Sequence, residues 1–162
     1  MGDGLYVHIP FCQKKCFYCA FVVSVLKHHW VDDYLEALSG EARQYRPRSF
    51  DTVYIGGGSP SFLDENNIAR LFGILSRCFD LNHVSEVSFE MNPEDISREK
   101  IDALCSFGVN RVSLGVQSFS NEALSFLGRC HDRERIFEAH DLLKGKGFHS
   151  ISIDLMYGLP GQ

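Results

Sequence analysis

The sequence predicts an α/β fold, a partial parallel (β/α) barrel, on three observations. Short apolar runs alternate with longer stretches of helical periodicity along the 162 residues, and strand followed by helix is the pattern of βα units with parallel strands. The strand runs alternate internally, one register apolar and the other small and polar. A cysteine loop, a glycine run and three polar side chains all fall at the carboxyl ends of these runs, where parallel folds carry their ligands.

Strands are expected at 5–9, 52–55, 86–90, 111–116 and 150–155, with helices near 31–45, 65–78, 98–107 and 133–146. In the second helix Leu71, Ile74, Leu75 and Cys78 recur at amphipathic spacing. Ile101, Leu104 and Cys105 do the same in the third. Ser97 precedes that helix as a plain N-cap, with Lys100 where a capping box would carry Glu. Gly108 and Gly147 follow helices where a C-cap belongs.

Successive strand side chains point to opposite faces. The apolar register holds Leu5, Val7, Ile9; Val53, Ile55; Val87, Phe89; Val112, Leu114, Val116; and Ile151, Ile153, Leu155, and is expected to face the helices. The other register holds Tyr6, His8; Tyr54, Gly56; Glu86, Ser88, Glu90; Ser113, Gly115, Gln117; and Ser152, Asp154. A closed barrel fills its interior with bulky branched residues. A small, polar interior suits an open barrel holding a polar ligand. A one-sided antiparallel sheet gives the same alternation, but the intervening helices favour the barrel.

The length fits one domain, and 44% hydrophobic content is ordinary for a globular protein. No apolar run reaches the roughly 18 residues of a membrane span. The opening MGDG lacks the basic and apolar regions of an export signal. The six cysteines are therefore expected as reduced thiols or metal ligands, in a cytoplasmic protein. The net charge of −5 is spread along the chain and gives no nucleic-acid footprint.

Cys12, Cys16 and Cys19 form C-x-x-x-C-x-x-C directly after the first strand. Four thiolates close a 4Fe-4S cluster; three leave one iron open to a substrate or second cofactor. A zinc knuckle is a second reading, with His8, His28 or His29 as fourth ligand, and three incidental thiols a third. Lys14 and Lys15 lie in the same loop and could favour an anionic cluster, or be merely solvated. The second strand runs into Gly56, Gly57, Gly58, Ser59 and Pro60. Such a run permits close backbone approach, or simply a tight turn. Glu90, Gln117 and Asp154 end three strands in the inward register. The two carboxylates could bind an ammonium group or ribose hydroxyls. Arg129 could grip a carboxylate bidentately, or pair with Asp132 at the surface. Cys78 and Cys105 fit apolar stripes as buried small residues; Cys130 has no evident role. Trp30, Phe11, Phe62 and Phe119 are expected to pack.

The segments YVHIPFCxxxCxYCxF, VYIGGGSPS, FEMNPED, GVNRVSLGVQSF and ISIDLMYGLPGQ resemble, in order, those of radical S-adenosylmethionine (SAM) proteins, and among them the oxygen-independent coproporphyrinogen III oxidase family. The resemblance implies a partial barrel of six units, truncated here after the fifth strand. The chain would then be the N-terminal part of the core domain, without the sixth unit and a C-terminal heme-binding domain. It implies Cys12, Cys16 and Cys19 as ligands of a 4Fe-4S cluster. It implies a SAM site formed by Tyr6, Tyr18, Gly57, Gly58, Ser59, Glu90, Gln117, Arg129 and Asp154, with Ser59 where threonine is usual. In the family, the cluster's electron cleaves the sulfonium C–S bond, and the adenosyl radical abstracts hydrogen from a substrate. The oxidases carry a fourth cysteine two residues after the third; Phe21 stands there. The chain thus looks like the heme-chaperone branch, whose members bind heme and pass it to acceptors. The implied partners are SAM, heme or a porphyrinogen, an electron donor and a heme-acceptor protein. The alternatives are a porphyrinogen-decarboxylating oxidase and a non-catalytic zinc module.

Overall fold

The computed structural model describes residues 3–45 and 49–162. Five strands, β1 (Gly4–Ile9), β2 (Thr52–Gly57), β3 (Glu86–Met91), β4 (Arg111–Gln117) and β5 (Ser150–Leu155), form one sheet in chain order. Every neighbouring pair is parallel. Between them run α1 (Val31–Ala42), α2 (Glu65–Cys78), α3 (Arg98–Ser106), α4 (Asn121–Leu127) and α5 (Arg133–Lys144). This is the partial (β/α) barrel expected from the sequence.

The apolar register builds the core. Ile9, Ile55, Phe89, Val112, Leu114 and Val116 are fully buried against Leu35, Leu71, Leu104 and Leu143 of the helices. Each such side chain contributes about 1.5–3 kcal/mol relative to exposure. Helix ends follow local chemistry. Asp64, Ser97, Ser120 and Asp132 each accept a bond from the backbone N–H three residues on. Gly108, at φ +79°, takes the left-handed conformation just after α3. Gly145, a poor helix former, is the C-cap of α5, so that helix stops short of the expected residue 146.

Two expectations need correction. The outward register of β5 is not covered: Ile153 is 40% and Leu155 57% exposed, because among the described residues no helix follows β5 to lie over them. Trp30 and Phe119 pack as expected and do not line the cavity at the strand ends, but they do so at the surface, at 47% and 39% exposure. Trp30 lies under Lys27 Nζ at 4.8 Å, and Phe119 leans on Phe137 at 5.8 Å. Cys105 is only half-buried, whereas Cys78 is buried. The helix α4 went unread, because in seven residues only Leu124 and Leu127 face inward. No helix among the described residues is long and apolar enough to cross a membrane.

Candidate cofactor site

A cavity of about 370 Å3 opens at the carboxyl ends of the strands. The loop after β1 forms one wall. Phe11 roots it in the core, buried edge-on against Tyr34 at 5.4 Å. Backbone bonds then fix its path: Ser24 N to Pro10 O at 2.7 Å, Leu26 N to Cys12 O at 3.0 Å and Cys19 N to Cys16 O at 3.1 Å. The Phe17 N–H donates to Leu127 O at 3.1 Å, tying the loop to α4. Cys12, Cys16 and Cys19 all line the cavity. Burial, then the charges of Cys19 and Cys16, push the Cys12 thiol up to about 11. Cys12 is therefore held as a thiol near neutrality, and binding a metal there would release its proton.

The glycine run lies directly against this loop. Gly58 N donates to Ile9 O and Ser59 N to Phe11 O, both at 2.8 Å. A Cβ on Gly58 would stand 2.8 Å from Phe11 O and 3.0 Å from Cys12 Sγ. Gly57, at φ +124°, adopts a conformation L side chains avoid, and a Cβ there would strike the His8 ring at 2.8 Å. The close approach read from the sequence is thus an approach to the cysteine loop.

The polar strand ends complete the rim. Glu90 Oε1 accepts from Tyr54 OH at 2.6 Å and Oε2 from Gly57 N at 3.1 Å. Burial and then the Glu90 carboxylate hold Tyr54 protonated, well above the ordinary tyrosine range. Asp154 accepts from Ser113 Oγ at 3.0 Å. Gln117 ends β4 at φ +66°, where the pairing with β5 shifts register. Such a backbone costs of order 1–3 kcal/mol in a non-glycine residue, and strain of this kind clusters at functional sites.

Arg129 enters from outside the sheet. Gly128, at φ +75°, caps α4 and turns the chain inward. Arg129 Nη2 donates to Asn92 Oδ1 at 2.6 Å and to Gly115 O at 2.9 Å. Its Nη1 reaches Cys16 Sγ at 3.4 Å and Tyr18 OH at 3.5 Å. Burial works to lower its pKa, but the negative charges of Glu94, Tyr18 and Cys16 outweigh that and raise it. The surface pairing with Asp132 does not form; Asp132 caps α5 instead.

Of the candidate residues, Tyr18, Gly57, Gly58, Ser59, Glu90, Gln117, Arg129 and Asp154 join the three cysteines around the cavity. Tyr6 does not reach its wall. It lies lower on the same sheet face, stacked on Tyr54 at 6.0 Å with its hydroxyl 3.1 Å from His8 Nδ1. None of the zinc candidates lines the cavity: the His8 ring lies under Gly57 with its Nδ1 3.1 Å from the Tyr6 hydroxyl, His28 stacks on Phe62 at 4.2 Å and His29 sits edge-on to Trp30 at 5.8 Å. Among the described residues, no group of three or more His, Cys, Asp or Glu is disposed to hold a metal ion at one point. Sequence reading missed Asn92, Ser113, and the buried His131, whose Nδ1 lies 2.7 Å from Glu94 Oε2. The sequence signal for Asn92 was its place in the FEMNPED segment, two residues after Glu90.

The donor set suits an anionic metal cluster bearing a polar ligand. Three thiols ring one side of the cavity and a guanidinium borders it. The buried Nε of Arg129 has no hydrogen-bond partner, a donor left over for a ligand. In a cluster each thiolate binds its own iron, so the sulfurs need not converge as they must on one zinc ion.

Comparison with known proteins agrees with this chemistry. The family profile of the radical SAM superfamily matches residues 6–162, and the chain belongs to that superfamily. Membership implies a 4Fe-4S cluster and SAM as cofactors. Relatives of two kinds are similar at nearly equal distance. The heme chaperone HemW of Lactococcus lactis is 41% identical over 99% of this chain, and that of Bacillus subtilis 40% over 97%. The oxygen-independent coproporphyrinogen III oxidase of Salmonella typhimurium is 40% identical over 98%. The solved structure of coproporphyrinogen III oxidase (HemN) from Escherichia coli superposes with a TM-score of 0.91 at 38% identity, covering 99% of this chain and 38% of that one. The chain spans 42%, 43% and 36% of the three curated relatives.

Proposed function

We propose that this chain is the cofactor-binding part of a radical SAM protein of the heme-chaperone type. The observation that carries the branch is Phe21. It occupies the position two residues after Cys19 where the oxidases of the resembled family carry a fourth cysteine. It stands 66% exposed beside the cavity. A heme-binding domain and a sixth barrel unit belong to this proposal, in keeping with the share of the relatives' length that the chain spans. So do an electron donor and a heme-acceptor protein. Reduced thiols at Cys12, Cys16 and Cys19 fit a reducing compartment such as the cytoplasm.

In this reading Cys12, Cys16 and Cys19 hold the cluster. Gly57, Gly58, Ser59, Glu90, Gln117, Arg129, Asp154 and Tyr18 receive SAM, with Tyr6 below them on the same face. When bound, the reduced cluster and SAM supply one-electron radical chemistry that no side chain offers. The protein's own part is position. Arg129 presents a positive charge and one unpaired donor, Nε, to a carboxylate, its Nη groups being held by Asn92, Gly115, Cys16 and Tyr18. Tyr54 and the Gly57 amide fix both oxygens of Glu90, leaving the remaining lone pairs for an ammonium or hydroxyl group. Ser113 does the same for Asp154.

The test is anaerobic reconstitution, with iron and sulfide, of the full-length protein that carries the proposed heme-binding domain. Heme titration, followed by absorbance, and a decarboxylation assay on coproporphyrinogen with SAM and a reductant come next. The expected result is a brown protein with a reducible, EPR-active cluster that takes up heme and leaves coproporphyrinogen intact. Conversion of two propionates to vinyl groups would instead establish the oxidase reading, which the 40% identity to the Salmonella oxidase favours. A colourless protein with one tight zinc would overturn both.

A further inference from the structure

Asn92 lies between two groups assigned above to SAM, and the inference rests on that assignment. Its Oδ1 accepts from Arg129 Nη2 at 2.6 Å, its Nδ2 donates to Ser59 Oγ at 2.7 Å, and its backbone N–H donates to Ser61 Oγ at 3.0 Å. The amide can face only one way. A guanidinium only donates, so the oxygen must meet Arg129 and the nitrogen must meet Ser59. Gly115 leaves room for this, since a Cβ there would lie 3.1 Å from Asn92 Oδ1. Behind it, Ser61 donates to Asp95 at 2.7 Å, and the Lys100 ammonium donates to Ser61 O at 2.6 Å. The amide is therefore fixed from the protein side.

This network also assigns the Ser59 proton. Ser59 Oγ receives the Asn92 amide, so its own hydrogen turns inward, toward Ser61 Oγ at 3.0 Å or Asp95 Oδ2 at 3.3 Å. What Ser59 offers the cavity is a lone pair, while Arg129 offers only N–H groups. We propose that Asn92 is a positioning residue that sets this polarity. It holds a guanidinium, whose Nε alone is unpaired, toward a carboxylate and an acceptor toward an ammonium in one rigid unit, matched to the α-amino-acid end of SAM.

The test is the affinity of the reconstituted protein for SAM and for decarboxylated SAM, measured by calorimetry. Iron content, sulfide content and melting temperature are followed for each variant. Hydrogen bonds to charged groups are strong enough that Asn92→Ala should weaken SAM about tenfold while weakening the decarboxylated form much less. The preference for the carboxylated ligand then narrows with the cluster intact. Asn92→Asp keeps an oxygen on Arg129 at unchanged size, but its charge neutralises the guanidinium and it has no donor for Ser59, so it too should narrow the preference with the cluster intact. The same measurement on this variant decides the matter if Asn92→Ala fails to fold. An unchanged preference in Asn92→Ala overturns the inference alone, as does an Asn92→Asp variant that keeps it in full. A wild-type protein that holds its cluster and binds neither ligand overturns the SAM assignment, and this inference with it.

Discussion

Gly58→Ala is the sharpest probe of how the two rim loops depend on each other. The added Cβ would lie 2.8 Å from Phe11 O, 3.0 Å from Cys12 Sγ and 3.0 Å from Pro10 C. Two of these are backbone atoms and cannot swing aside. Nor can Gly58 retreat, because its N–H is bonded to Ile9 O and the next N–H to Phe11 O, both at 2.8 Å. Relief requires the loops to part by a few tenths of an ångström, and forcing atoms into a packed site costs about 1–3 kcal/mol. For a domain of this size, about 2–4 °C of melting temperature goes with each kcal/mol. The expected fall is therefore about 2–12 °C in the metal-free protein. Cys12 Sγ moves with the loop, so reconstituted Gly58→Ala should also hold less iron than wild type. Gly40→Ala is the control. No atom comes within 4 Å of its Cβ position on α1, and losing a helical glycine should stabilise by about 0.5–1 kcal/mol. Differential scanning calorimetry and iron analysis of both variants decide the point. A Gly58→Ala protein that melts with wild type and fills with iron would refute the claim that the glycine exists for this contact.

Three further outcomes are expected. Cys16→Ala should leave the reconstituted protein colourless, since two thiolates cannot hold the cluster; full iron and sulfide in that variant would end the cluster assignment. Asp64→Ala removes the acceptor for Asn67 N at 2.8 Å and should cost about 1 kcal/mol, read as a lower urea midpoint at unchanged slope. For Glu94, burial alone would raise the pKa, but the His131 hydrogen bond and the Arg129 charge outweigh it and hold it below its ordinary 4.5. A depressed folded value means stability that is present above the unfolded pKa and lost as pH falls through the folded one. Glu94→Gln should therefore flatten part of the stability loss below about pH 4.5, and an unchanged acid limb would contradict it.

The sequence carried most of the architecture because the architecture is periodic. Each strand's apolar register is buried by helices whose stripes repeat at helical spacing, and both patterns are local. Glu65–Cys78 was readable to the residue because Ile68, Leu71, Phe72, Leu75 and Cys78 form an unbroken buried stripe between Asp64 and Phe79. The helix α4 has no such stripe, so it was invisible, and with it the device that delivers Arg129. That is why arginine at 129 read equally well as a surface partner of Asp132. Likewise Ile153 and Leu155 have strand periodicity, but periodicity does not say whether a helix will cover them.

The rim was legible to the extent that parallel topology decides it, since every strand ends on the same side. What topology cannot give is the wiring between strand tips. Asn92 and Arg129 are 37 positions apart, Ser59 and Asn92 33, and Ser113 and Asp154 41, and none of these pairs has a spacing rule. Ser59 and Asn92 meet because each lies just past the end of adjacent strands, Ser113 and Asp154 because they sit on adjacent strands, and Arg129 because α4 and its Gly128 cap turn it back over the strand ends. Hence the ligand-facing groups could be named from the chain while the groups that aim them could not. The aiming groups are neutral amides and hydroxyls, which sequence reading counts as filler. In a site built from a donor-only guanidinium and acceptor-only carboxylates, such neutral groups, able both to donate and to accept, are what fix the direction of each bond.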